Sequence, residues 1–162
     1  MLSMDDERPR TYNHSTWLCN GGNPYAADGY RLPTDAEWEY AARYNDGRIF
    51  PWGNEELDCT RSNSTGCAGA PVAVGSYPAG VSALSLYDMT GNVWEWCNDW
   101  EICNLGTEAA TDPVGPATGD SRVVHGGSWT HVDHYSRCAG RIACSPGMSY
   151  GYGGFRVART QP

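Results

Sequence analysis

Residues 30–44, YRLPTDAEWEYAARY, carry the clearest helix signal in the chain, and that signal stands nearly alone. Thr34 and Glu37 have the T-x-x-E spacing of a capping box, in which each side chain satisfies a first-turn N–H that lacks a helical partner. Asp35 and Glu37 set negative charge at the positive end of the helix dipole. Trp38, Ala41 and Ala42 recur at i, i+3, i+4, so one stripe should face the core. Asn45, Asp46 and Gly47 supply the stop. Elsewhere the apolar runs are short, and Gly (20) and Pro (10) recur throughout the 162 residues. Such a chain is long enough to bury a core, but it must do so with few regular elements and much irregular backbone.

Short strands are expected within LYDMTGNVWEWCNDW (86–100), where Val93, Trp94 and Glu95 alternate, and over RVVHGGSW (122–129) and GFRVAR (154–159). Residues 50–83 are turn-rich throughout, a length of irregular chain that implies function, a bound ion or disulfide support. No repeat or linker interrupts the sequence, so residues 1–162 read as one domain. Cys59 and Cys67 bracket one polar stretch, and Cys97 and Cys103 bracket another. Either pair could close a small surface loop, worth about 2–3 kcal/mol if oxidised. The seven cysteines include no C-x-x-C pair, which argues against zinc, and their odd number leaves at least one thiol unpaired.

The net charge is −8, every basic residue is Arg, and no basic stripe exists, so a nucleic-acid partner is not expected. No apolar run approaches the roughly 20 residues of a membrane span, and membrane insertion is not expected either. The opening MLSMDDERPR lacks the apolar core of a signal peptide; localisation stays open. Trp (7) and Tyr (10) far outnumber Phe (2), a balance that suits rims and binding surfaces better than a dry interior.

Residues 123–140, VVHGGSWTHVDHYSRCAG, gather His125, His131, His134, Asp133 and Cys138 around a Gly-Gly-Ser-Trp turn. A metal set of His131, Asp133 and His134 would need a loop, because a strand sends 131 and 133 to one side and 134 to the other. Ser136 has histidines nearby but no nucleophile elbow. Exposed histidines in a Tyr/Ser/Gly-rich loop are more commonly contact residues than ligands.

GYRLPTDAEWEYAAR, FPWGNE, YDMTGNVWEWCNDW, and RVVHGGSW followed by GFRVAR stand in this order. The combination, over residues 29–159, resembles the formylglycine-generating-enzyme (sulfatase-modifying factor) family. The resemblance implies an α+β, C-type-lectin-like fold: compact and loop-rich, with short mixed strands and few helices. The family's portion before the helix is usually much longer, so this chain is expected to be N-terminally shortened. Members that make formylglycine use two cysteines, three and eight residues past the Gly-Gly-Ser serine, to gather copper and oxidise a substrate cysteine. Counted from Ser128, those positions are His131 and Ser136. A serine cannot supply the soft thiolate that holds Cu(I), so that chemistry is expected to be absent. Cys138 and Cys144 lie nearby at a different spacing.

Within the family, the chain is similar to the variable proteins of diversity-generating retroelements, whose C-terminal residues form a hypervariable ligand-binding face. The scaffold such regions keep is present from Arg122 through Gly126, Gly127, Ser128 and Trp129 to Gly154, Phe155, Arg156 and Val157. His125 departs from it, since Arg is usual there. The resemblance makes 122–159 the variable region. It assigns ligand binding to Thr130, His131, Val132, His134, Tyr135, Gly140, Ile142, Ala143, Met148, Ser149, Tyr150 and Tyr152. Scrambled AAC codons become NNC codons, and all of these residues but Met148 are NNC-encoded. Tyr gives rigid contact area at low entropy cost, while Ser, Gly and Thr adapt their hydrogen bonds. The expectation is therefore a non-catalytic, monomeric binder of a protein or other macromolecular ligand on a cell or virus surface. The alternatives are a metal-dependent oxidase of the sulfatase-modifying type and a degenerate accessory domain.

The family pattern also suggests a structural calcium ion held by Asp88 and Glu95 side chains and Gly91 and Val93 carbonyls, a hard oxygen set. The competing reading has Asp88 capping a turn and Glu95 paired with an arginine such as Arg156. Trp94, Trp96, Trp129 and Phe155 are expected in the core, and Arg137, Arg141 and Arg156 as buried structural arginines.

Overall fold

The computed structural model describes residues 19–160. Its elements are β1 (Tyr30–Arg31), α1 (Asp35–Arg43), β2 (Trp94–Trp100), β3 (Arg122–His125), β4 (Arg141–Cys144), β5 (Gly153–Gly154) and β6 (Ala158–Arg159). Short 3-10 turns fill some of the remainder.

Helix α1 has the expected start. Thr34 Oγ1 accepts from the Glu37 N–H at 3.2 Å, and the Glu37 carboxylate accepts from the Thr34 N–H at 2.8 Å. Arg31 donates twice to that carboxylate, at 2.6 and 2.7 Å, which ties β1 to the helix. Burial by itself would raise the Glu37 pKa, but Arg31 and the Thr34 N–H outweigh it and hold the carboxyl below its ordinary value. Trp38 and Ala42 are fully buried, and Ala41 packs beside them. The helix stops at Tyr44, whose φ of 56° turns the chain just before Asn45.

Four strands form one sheet in the order β4-β3-β2-β5, and β1 pairs with β6 in a second, two-stranded sheet. β2 and β3 are antiparallel, with Glu95 opposite His125 and Trp96 opposite Val124, then an irregularity before Trp100 meets Arg122. Alternation sends Cys97 and Val123 to the helix side, where they join Trp38, Ala42, Met89 and Cys138 in the core. Trp94, Trp96, Val124 and Ile142 take the opposite face. One face thus carries the core and the other is left for a site.

Several expectations need correction. GFRVAR is not one strand: Gly153–Gly154 pairs in parallel with β2, and Ala158–Arg159 pairs with β1. Phe155 lies in the connection between the two sheets and is 68% exposed, so it is not core. β3 ends at His125 because Gly126 (φ 92°) and Gly127 (φ 70°) turn the chain. A Cβ at Gly126 would also come within 3.3 Å of the Trp38 ring, a tight contact. Cys97 and Cys103 are not bridged, because strand alternation points Cys97 into the core while Cys103 is exposed beyond the strand end. Cys59 and Cys67 do form a disulfide. Arg137 is exposed rather than buried, and Trp96 and Trp129 are half-buried. Among the described residues, no helix is long and apolar enough to cross a membrane.

Candidate functional site

On the sheet face away from α1, Trp94 and Trp96 of β2, Val124 of β3, and Ile142 and Cys144 of β4 floor a concavity of about 240 Å³. The turn after β4 brings Met148, Ser149, Tyr150 and Tyr152 over it, and His131 closes one side. Seven of the twelve positions nominated from the sequence line this groove: His131, Ile142, Ala143, Met148, Ser149, Tyr150 and Tyr152.

An aromatic chain runs along the wall. Tyr150 and Tyr152 stack at 5.0 Å, Tyr152 meets His131 edge-on at 5.6 Å, and His131 meets Trp94 at 5.2 Å and Tyr135 at 5.4 Å. His134 lies against Tyr135 at 3.9 Å. Thr130 joins through its hydroxyl, 2.9 Å from His131 Nδ1. Val132 is exposed but outside the groove. Gly140 serves a turn instead: a Cβ there would lie within 3.0 Å of the backbone oxygens of Tyr135, Arg137 and His134.

His131 is half-buried and fixed. Its Nδ1 lies 2.6 Å from the fully buried Ser128 hydroxyl. Burial, then the neighbouring His134, lowers its pKa below the ordinary 6.5, so the ring presented to the groove is neutral above that pH. Ser136, at the second of the two family cysteine positions, is fully buried, and among the described residues its hydroxyl has no hydrogen-bond partner. The side chain of Asp133 lies outside the described residues. Among those described, no group of three His, Cys, Asp or Glu residues could hold a metal ion.

Behind the sheet lies a polar network that sequence reasoning missed. His125 is fully buried, stacks on Trp38 at 4.4 Å, and sets its Nε2 2.5 Å from Asp35 Oδ1. Asp35 also pairs with Arg141 at 3.0 Å, and its N–H donates to Asp99 at 2.9 Å. Burial, more than the nearby Asp35 charge, pushes the Asp99 carboxyl up to about 6. The one available signal was the unusual histidine at 125.

Asp88, Gly91, Val93 and Glu95 border a second concavity of about 210 Å³, together with Arg156. Both Glu95 oxygens are engaged: Oε1 accepts from Arg156 at 2.7 Å, and Oε2 accepts from the Trp38 indole N–H at 2.6 Å and from Arg156 Nε. Asp88 accepts from the Gly75 N–H at 2.6 Å. As arranged, these positions do not fit a divalent cation, because a guanidinium already neutralises the carboxylate that would hold it.

The model of the sulfatase-modifying factor enzyme 1-like domain matches residues 10–161 of this chain. The chain is 41% identical over 149 residues to the serine/threonine-protein kinase Pkn1 of Chlamydia trachomatis, covering 89% of this chain and 23% of that protein. It is 38% identical over 176 residues to the formylglycine-generating enzyme of Thermomonospora curvata, covering 96% of this chain and 57% of that one. Treponema denticola variable protein 1 superimposes with a TM-score of 0.79 and 31% identity, covering 93% of this chain and 54% of that chain. The chain spans less than two thirds of the length of each of these relatives. The likeness to the variable protein gives the C-type-lectin-like fold that the sequence motifs implied. By its motifs, its fold and its relatives, the chain belongs to the sulfatase-modifying factor enzyme 1-like domain family.

Proposed function

We propose that this protein is a non-catalytic ligand-binding member of the family, recognising a protein or other macromolecular ligand through a diversified surface in residues 122–159. One observation carries the reading. Positions nominated by the variable-protein pattern, scattered over 131–152, converge on one aromatic groove, while the family's two cysteine positions hold His131 and Ser136. Similarity to a protein described as a variable protein supports it further. Tyr150, Tyr152 and His131 supply rigid contact area, and Ser149 and Met148 adapt around them.

The enzyme reading draws on relatives described as formylglycine-generating enzymes. Its difficulty is local: His131 offers a nitrogen where a thiolate would stand, and Ser136 is buried beneath the Gly127 turn. Sequencing the locus tests the binder directly. A nearby reverse-transcriptase gene with a near-copy of codons 122–159 that differs only at adenines is the expected finding. Stoichiometric copper, iron or zinc bound at His131 and His134 would overturn the reading in favour of an enzyme.

A further inference from the structure

One row of residues crosses all four strands of the larger sheet. Arg141 of β4 stands opposite His125 of β3, His125 opposite Glu95 of β2, and Glu95 opposite Gly154 of β5. The three side chains of this row are joined through α1. Arg141 pairs with one Asp35 oxygen at 3.0 Å, His125 Nε2 lies 2.5 Å from the other, and the His125 ring stacks on Trp38 at 4.4 Å. The Trp38 indole donates to Glu95 at 2.6 Å, and Glu95 accepts from Arg156 at 2.7 Å. A continuous belt thus runs behind the sheet, from Arg141 at one edge to Arg156 just past the other.

The chain between these two arginines crosses the front. β4 and β5 both run parallel to β2, so residues 145–152 must return diagonally from Cys144 to Gly153. Helix α1 occupies the back, and Met148, Ser149 and Tyr150 line the groove with Trp94, Trp96 and Val124 of the sheet. By register the gap is four residues along the strands and three strand spacings across, a diagonal of about 19 Å. The eight connecting residues reach roughly 30 Å when extended. This strap has slack.

It is also barely held. Residues 145–151 are all exposed, and a Cβ added at Gly147 or Gly151 would meet nothing within 4 Å. Among the described residues, the backbone of 145–151 bonds only within local turns: Met148 N–H to Ser145 C=O at 3.0 Å, and Gly153 N–H to Tyr150 C=O at 3.2 Å. The sheet takes hold again at Tyr152, whose C=O accepts from the Trp94 N–H at 2.8 Å. The ends are fixed and the middle is free.

We propose that Arg141 and Arg156 are positioning residues that clamp the two ends of this strap, and that 147–151 is an exchangeable specificity loop whose sequence and length the fold does not constrain. This rests on the ligand-binding reading above and says which part of that face sets ligand choice. Binding residues on a loop between rigid supports can vary without disturbing the scaffold. Ile142, Ala143 and Tyr152 stand on clamped backbone, so they can change side chain but not position. Met148, Ser149 and Tyr150 can change both.

The test is made on the free chain. Met148→Ser/Ser149→Gly/Tyr150→Ser, and separately two glycines inserted after Gly151, should leave the melting temperature within about 5 °C of the parent. A larger fall in either makes 147–151 part of the fold and overturns the exchangeable loop. Amide exchange reads the clamps. Arg141→Gln should speed exchange at 142–144, and Arg156→Gln at 153–154, each at least about tenfold more than in α1. Arg156→Lys, which keeps the cation but loses the fork, is read in its place if Arg156→Gln does not fold. Ala42→Gly, a loss of stability away from the belt, should speed α1 without singling out either end. Unchanged exchange at the strap ends, a rise shared equally with α1, or the same local rise in Ala42→Gly overturns the clamp. These outcomes leave the locus test of the binding reading standing, and a locus without the near-copy overturns that reading while leaving the clamp.

Discussion

Ser128 holds His131 by a 2.6 Å contact between its buried hydroxyl and the imidazole Nδ1, so the residue at the family's first cysteine position is anchored to the Gly-Gly-Ser turn. Ser128→Ala leaves only Thr130 beside that nitrogen and should cost about 1 kcal/mol, read by chemical denaturation. The His131 pKa, followed by NMR, should lie below 6.5, because burial opposes the charged ring. The folded state then binds this proton less tightly than the unfolded chain. The contribution is present above 6.5 and lost as the pH falls through the lowered value. A midpoint above 6.5 would mean that the ring is not buried as described.

Tyr150 and Tyr152 should act on binding far more than on stability. Tyr150 is 36% exposed and among the described residues stacks only on Tyr152, so Tyr150→Ala removes contact area without opening a cavity. A melting temperature within a few degrees of the parent is expected, together with loss of affinity for any selected groove ligand. A large stability loss, on the order of the 3–5 kcal/mol of a core aromatic, would place this ring in the core and remove it from the binding face.

What the sequence revealed and what it hid divide by range of interaction. Helix α1 was legible because its capping box and apolar stripe lie within ten residues. One wall of the groove was legible in part, because His131 and nominated positions of 142–152 lie between recognisable scaffold residues; its floor of Trp94, Trp96, Val124 and Cys144 was not. Long-range pairings were not. GFRVAR has a strand-like pattern throughout, and only its partners, β2 for one end and β1 for the other, explain why it divides. His125 finds Asp35 across 90 residues, and no local pattern announces that contact. Spacing left Cys97 open to a bridge with Cys103, and only the strand alternation that points Cys97 inward excludes it.

The Arg156–Glu95 pair should be a main support of the connection between β5 and β6. Arg156→Ala leaves Glu95, 6% exposed, with only the Trp38 indole, and should destabilise by about 3–5 kcal/mol. Since Arg156 occupies the carboxylate, millimolar calcium should leave the melting temperature of the parent unchanged. A rise that scales with calcium concentration would mean that Glu95 exchanges its arginine for the ion.

Reduction of the Cys59–Cys67 disulfide, which closes a loop with a separation of 8 residues, should destabilise by roughly 2–3 kcal/mol. The loop between them lacks regular strands or helices, so the effect should come through the freedom regained by the unfolded chain. Denaturation with and without a phosphine reductant measures it. Coincident curves would show that the bridge contributes nothing.

Asp99 gives the sharpest pH prediction. Its folded pKa is about 6 against an ordinary 3.8, raised chiefly by burial behind β2. The folded state holds this proton more tightly than the unfolded chain does. Its contribution is therefore fully present below pH 3.8 and is lost as the pH rises through 6, a swing of order 3 kcal/mol. Asp99→Asn stays neutral at every pH and keeps an oxygen for the Asp35 N–H. The variant should match the parent near pH 4 and exceed it increasingly up to neutral pH, where the gap levels off. Paired denaturation curves across that range decide the matter. A gap that does not change with pH would mean that Asp99 does not carry the raised pKa.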